Sequence, residues 1–248
     1  KLGEHAEAAE WFSRYIQLER NPASVQLYEA SMKLAKSLRA IGKIPQSIEA
    51  LKFAMARELT VPQRTRAAIE LARTEAAGQS YVRALAALQG LPATPHLTDD
   101  EIEVLLLNSQ IHCEIGMPDK AARMLQNAMD RAYSRDRAAV LAVPLARALV
   151  QMREAEKAAD ILARTLANIR PSAVADEIFC TLAEINVILG RYTEAISLST
   201  RLIASKPSDE IVDRAFRIMG DAYAGMNQYD KAAMAYAGRF VTDEGGGI

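Results

Sequence analysis

One column of small residues constrains this chain more than any other feature. Ala8, Ser47, Ala84, Ala121, Ala158, Ala195 and Ala232 are separated by 39 residues once and then by 37 residues five times in succession. Twelve positions before each anchor from Ser47 onward stands a second small residue: Ala35, Ala72, Ser109, Ala146, Ala183 and Gly220. The position before that one is Leu34, Leu71, Asn108, Leu145, Leu182 and Met219, and four residues after the anchors come Phe12, Leu51, Leu88, Leu125, Leu162, Ser199 and Tyr236. Two antiparallel helices joined by a tight turn approach closely only where facing side chains are small, and large apolar residues beside that crossing fill the core. The register therefore predicts repeating helix pairs. Each is too small to bury its apolar face alone, and stacking on a neighbour completes it.

Turn formers and breakers place the boundaries. Gly3, Gly42, Gly78, Gly116 and Gly190 fall between the helices of a pair, with Arg153 and Asn227 where glycine is missing. Gly and Asn tolerate the left-handed backbone that ends a helix, so Arg153 is the least comfortable of these turns. Tyr81, Tyr192 and Tyr229 follow as packing residues, and Pro118 begins a second helix. Pro22, Pro62, Pro92 with Pro95, Pro171 and Pro207 close the units. "TDDE" at Thr98 and "SDE" at Ser208 put a hydroxyl and acidic side chains where a helix N-terminus needs acceptors and negative charge. The pairs read as 24–58, 62–91, 98–132, 136–169, 173–205 and 208–240, after the second helix of a partial unit at 5–20. Because the chain opens inside a turn, it is expected to be a fragment of a longer protein, with Trp11, Phe12 and Ile16 wanting a neighbour.

Composition narrows the function classes. Thirty Lys and Arg against 31 Asp and Glu leave a net charge of −1, which provides no global field for nucleic acid or an anionic membrane. Apolar runs such as Val104–Leu107 fall far short of the roughly 20 residues that span a bilayer. Cys113 and Cys180 are 67 positions apart with no CxxC, so zinc and redox readings have no support. His5, His96 and His112 are scattered, and no nucleophile elbow, HExxH or phosphate loop occurs. Asp99 and Asp100 are explained as helix-start charge. The expectation is a noncatalytic protein without metal or cofactor.

The segments "LGRYTEAI", Leu189–Ile196, and "RIMGDAYAGMNQYDKAAMAY", Arg217–Tyr236, resemble the tetratricopeptide repeat, whose usual period is about 34 residues against 37 here. The resemblance covers nearly the whole chain and implies an all-α fold: a right-handed α-solenoid of stacked antiparallel helix pairs, one partial plus six full repeats. A single solenoid domain would span 1–240, with the partial repeat at 1–22 and repeats at 23–60, 61–97, 98–134, 135–171, 172–207 and 208–240. Residues 241–248, ending "DEGGGI", read as a flexible tail.

In that family the first helix of each pair lines the concave groove. Carried across, the resemblance assigns Lys36, Arg39, Arg66, Ile69, Arg73, Leu106, Gln110, Arg147, Arg214 and Arg217 to a partner-binding groove, basic toward its N-terminal end. Cations so placed grip an acidic segment or a terminal carboxylate through charge-assisted hydrogen bonds. Lys36 and Met32 stand where the family's carboxylate-clamp members carry Asn and Lys, which argues against that clamp. The implied function is a protein-interaction scaffold, part of a larger multi-protein assembly or secretion component. The alternatives are a self-associating scaffold and an RNA-binding helical repeat, the latter opposed by Glu103, Glu177 and Glu184 in the groove. Cytoplasmic and bacterial periplasmic locations both remain open.

Replacing Ala195 with Leu is expected to overpack a helix crossing and cost roughly 1–3 kcal/mol. A melting temperature equal to the parent's would remove Ala195 from the register.

Overall fold

The computed structural model describes residues 2–19, 25–91 and 98–239, and every regular element among them is an α-helix. Pro22, Pro92, Pro95, His96 and the expected tail at 241–248 lie outside the described residues. The helices are α1 (Leu2–Leu18), α2 (Val25–Ala40), α3 (Ile44–Met55), α4 (Val61–Ala77), α5 (Tyr81–Leu88), α6 (Asp99–Glu114) and α7 (Pro118–Arg131). They continue as α8 (Arg135–Gln151), α9 (Ala155–Leu166), α10 (Ala173–Ile188), α11 (Tyr192–Ala204), α12 (Asp209–Gly225) and α13 (Tyr229–Tyr236). The chain divides into two compact units, Lys1–Ile115 and Gly116–Ile248.

In the first unit α1 packs on α2, α3 lies against both α2 and α4, and α5 lies against both α4 and α6. First helices also stack directly, α2 on α4 and α4 on α6. The second unit repeats this plan: α9 sits against α8 and α10, α11 against α10 and α12, and α8, α10 and α12 stack in sequence. Each such second helix thus buries one flank on its own pair and the other on the next, the packing of a tetratricopeptide-like helical solenoid.

The small columns lie at the crossings. Ser47, Ala84, Ala121, Ala158 and Ala195 are fully buried, and the Ser47 hydroxyl donates to the Ala35 carbonyl at 2.8 Å, so the two columns touch. Leu51, Leu125 and Leu162 fill the core beside them. Ser199 takes the same column and is buried, with no partner for its hydroxyl among the described residues. Tyr236 departs from the pattern. Its ring lies across α12, where a Cβ on Gly220 would overlap it, and its hydroxyl donates to Asp221 Oδ1 at 2.7 Å. The ring is half exposed, and glycine is what lets it approach.

The turns correct one expectation. Gly42, Gly116 and Gly190 have φ near +75°, and Arg153 and Asn227 are left-handed at +62° and +60°. Between α4 and α5 the left-handed residue is Gln79 at +58°, not Gly78, whose φ is −85°. Gln79 precedes Ala84 by the same five positions that separate Gly42 from Ser47. Gly78 serves packing instead, since a Cβ there would lie 3.0 Å from Ile44 Cγ2 of α3. The turns close alike, with N–H to C=O bonds from Lys43 to Leu38, Ser80 to Glu75, Glu154 to Leu149, Arg191 to Asn186 and Gln228 to Tyr223 at 2.8–2.9 Å. Thr98 caps α6 by accepting from the Glu101 N–H at 3.2 Å. Ser208 makes no side-chain cap on α12, contrary to the sequence expectation, while Thr60 and Gln63 form a capping box on α4.

A side chain in the left-handed region is strained where glycine is not. Gln79→Gly and Arg153→Gly are each expected to raise stability by about 0.5–1 kcal/mol, read as a higher urea midpoint. Destabilisation by either would mean that the side chain makes contacts outweighing its backbone strain.

Candidate functional site

The charged positions predicted on first helices gather into two clusters, one in each unit. In the first, the organising group is Glu70 of α4, a buried carboxylate. Arg39 Nη1 reaches Glu70 Oε2 at 2.8 Å, Lys36 Nζ reaches Oε1 at 3.3 Å and Arg73 Nη1 reaches Oε1 at 3.1 Å. The other arm of Arg73 pairs with Glu103 of α6. One carboxylate therefore ties α2 to α4, and one guanidinium ties α4 to α6. Burial alone would raise the Glu70 pKa, but Arg39 and then Lys36 outweigh it and hold the carboxyl below its ordinary value.

This rewrites the basic end of the predicted groove. Lys36, Arg39 and Arg73 are paired within the fold to the two carboxylates of Glu70 and Glu103, so three of its four cations already have carboxylate partners. Arg66 is exposed and makes no ion pair among the described residues. Ile69 is only 2% exposed and packs with Ala72, Ala84, Leu88, Leu107 and Ile111, so it faces the core and not a partner. Leu106 is half-buried and Gln110 exposed. Sequence reasoning missed Glu70, although a signal existed. At steps of 37 its column reads Lys33, Glu70, Leu107, Pro144, Thr181 and Ile218, so Glu70 is its one acidic residue.

In the second unit the centre is Arg214 of α12. Its Nε and Nη2 hold the two carboxylate oxygens of Glu184 at 2.7 and 3.1 Å, and Nη1 holds Glu177 Oε2 at 2.7 Å. Both glutamates lie on α10, and the bidentate pair with Glu184, reinforced by Glu177, keeps the guanidinium firmly charged. Cys180, fully buried on α10, has its thiol pushed up to about 11 by burial, with Arg214 opposing and Glu184, Glu177 and Asp176 adding. It is a packed thiol and not a nucleophile. Burial also raises the half-buried Cys113. Arg147 and Arg217 are exposed without an ion pair among the described residues, so Arg214 is built into the fold while these two face solvent.

The two clusters share one geometry. Arg73 with Glu103 and Glu184 with Arg214 each span 30 positions, and each joins the first helices of consecutive pairs, with the signs exchanged. His112 Nδ1 lies 2.9 Å from the Asn108 carbonyl on its own helix, a local contact that satisfies the ring. No cluster of three or more His, Cys, Asp or Glu side chains disposed to hold a metal occurs among the described residues. No described helix is long and apolar enough to cross a membrane. Away from all ten predicted residues, the first unit carries a cleft of about 1200 Å³ between α1 and α3.

Residues 32–97 match the family described as tetratricopeptide repeat. Solved structures extend the fold over more of the chain. A tetratricopeptide repeat protein from Parabacteroides merdae is 17% identical, with 85% of this chain and 77% of that one covered at a TM-score of 0.59. A thermophilic tetratricopeptide repeat protein of Thermus thermophilus is 20% identical, covering 84% and 99% at 0.54. BtubC from P. vanneervenii is 17% identical, covering 95% and 87% at 0.51. No curated protein sequence matches the chain.

Glu70→Gln removes the charge that holds three cations and is expected to cost roughly 1–3 kcal/mol at neutral pH. Because the folded carboxyl titrates below its unfolded value, this contribution is present above about pH 4.3 and fades as pH falls through the folded pKa. Melting curves of parent and variant should therefore converge in acid. A constant gap down to pH 3 would assign the loss to shape and not to charge.

Proposed function

We infer, from the premise that the chain is a tetratricopeptide-like repeat protein, that it is a noncatalytic scaffold holding an extended or helical segment of a partner protein on its first helices. Tetratricopeptide folds generally mediate protein–protein interaction, and the finer reading rests on what the first-helix face of each unit offers. The supporting observation is the split among its cations. Arg39, Arg73 and Arg214 are paired with carboxylates, whereas Arg66, Arg147 and Arg217 stand exposed without one among the described residues. An exposed guanidinium can grip an incoming carboxylate with two parallel N–H donors, and its planar fork loses less side-chain entropy per hydrogen bond than an ammonium would.

Half-buried apolar side chains accompany these cations: Leu106 on α6 in the first unit, and Val140, Val143 and Val150 on α8 in the second. A segment carrying carboxylates interspersed with aliphatic side chains matches both features. The net charge near zero fits a partner read by local contacts and not by a long-range field. A scaffold of this kind serves within a larger multi-protein assembly, of which a secretion component is one instance.

The test uses a fluorescein-labelled 15-residue peptide of mixed Glu and Leu and follows anisotropy at low and high salt. Arg66→Glu is expected to leave helicity and melting unchanged while weakening binding about three- to tenfold at low salt, the range of one charge-assisted contact. Pairing it with Arg73→Glu would confound the result, since Arg73 holds Glu70 and Glu103. Affinity unaffected by both salt and Arg66→Glu would move the binding site off this face.

A further inference from the structure

The other side of the first unit is built differently. Helix α1 packs on α2, and α3 packs on α2 and α4, but α1 and α3 do not pack on each other. The space between them is the cleft of about 1200 Å³. Its floor is the stripe Leu34, Leu38 and Ile41, at the i, i+4, i+7 spacing of one helical face. Its walls present Ile16 from α1 and Ile48 and Phe53 from α3, and the Phe53 ring is 45% exposed beneath the Arg57 guanidinium.

Charge on the walls is already spent. Glu10 pairs with Arg14 along α1 at 2.5 Å, and Glu49 pairs with Lys52 along α3 at 3.0 Å. One end differs. The start of α3 abuts the α4–α5 turn, where Ile44 meets Gly78, and this brings Lys43 and Arg83 to the same cleft. Lys43 is exposed and makes no ion pair among the described residues. Arg83 pairs with the buried Glu75 carboxylate at 3.5 Å and donates to Ser80 Oγ at 2.9 Å, with 72% of its side chain exposed. Lys43 and Arg83 against the one carboxylate of Glu75 leave this end net positive, so the cleft is an apolar trough with a cationic end.

We propose that this trough docks a short amphipathic helix of a partner protein, about three turns long, whose apolar residues recur at i, i+4 and i+7 and whose acidic end sits against Lys43 and Arg83. The length follows from the walls: Ala6–Gln17 of α1 and Ile44–Phe53 of α3 rise about 17 and 14 Å at 1.5 Å per residue. The helical form follows from the lining. An extended segment would bring unpaired backbone N–H and C=O groups into an apolar trough without a strand to receive them, whereas a helix satisfies its own. Two helical walls and a helical floor also offer the ridges and grooves that a fourth helix fills. This surface is separate from the first-helix face, although α2 serves both, turning Lys36 and Arg39 to Glu70 on one side and Leu34 and Leu38 to the trough on the other.

The probe is a stapled, fluorescein-labelled 14-residue helix with Leu at i, i+4 and i+7 and a Glu triplet at one end. It is made with the triplet at either terminus and again with Lys replacing Glu. One acidic version is expected to bind the chain. Lys43→Glu should weaken it about tenfold or more while improving the Lys version, and Ser13→Trp, which fills the trough, should abolish binding without altering the circular dichroism. If Ser13→Trp fails to fold, Gln46→Trp blocks the same trough from α3. Hydrogen exchange should slow in α1 and α3 when the probe is bound. The proposal is overturned if neither acidic helix binds, if binding survives the filled trough, or if protection appears around Arg66 instead. It is equally overturned if sedimentation shows a dimer that the trough-filling variant dissociates, which would give the trough to a second copy.

Discussion

The close crossing of two helices at a pair of small side chains is the interaction on which the rest depends. Where Ser47 meets Ala35, the helices come near enough for a hydroxyl to reach a backbone carbonyl, and larger side chains on either side have a void of fixed shape to fill. Repeating that crossing every 37 residues repeats the shape, so each second helix finds the next first helix already contoured to receive it. Propensity alone would not produce this order. Single helices of this length are marginal in water, and it is the shared flank that makes them stable.

Most of the architecture was legible because it is carried by volume, and volume is written in residue type. Small columns, leucine columns and helix-stopping residues predicted helix pairs whose ends lie within a few residues of those found. The misreadings came where one residue type serves two purposes. Gly78 looked like the turn residue because glycine suits left-handed backbone, yet its role is to admit Ile44, and Gln79 bears the strain. Ser208 looked like a cap beside its acidic neighbours, but its side chain does not close on the helix.

The candidate site was only partly legible, and the reason is physical. Whether a cation is open to a partner depends on which carboxylate its repeat neighbour places 30 or more positions away. Lys36, Arg39 and Arg73 looked like a basic patch when read as exposed residues of single helices. Glu70, the one carboxylate in its column, pairs with all three. Ile69 lies inside for a simpler reason: α5 and α6 pack over it, through Ala84, Leu88, Leu107 and Ile111. Arg66, Arg147 and Arg217 are surface residues to which no carboxylate pairs among the described residues.

The pattern of ion pairs also gives each unit an unequal elasticity. First helices are laced to one another by side-chain charges, α4 to α6 through Arg73 and Glu103, and α10 to α12 through Arg214 with its two glutamates. Second helices pack on the first helices between them, and in the second unit Arg191, at the start of α11, also pairs with Glu156 of α9 at 2.7 Å. Spreading the first-helix edge must stretch several part-buried charge-assisted bonds, whereas spreading the other edge of the second unit stretches the exposed Arg191–Glu156 pair. Each unit is therefore laced more heavily along its first helices than along its second, and its curvature changes more easily in one direction than in the other.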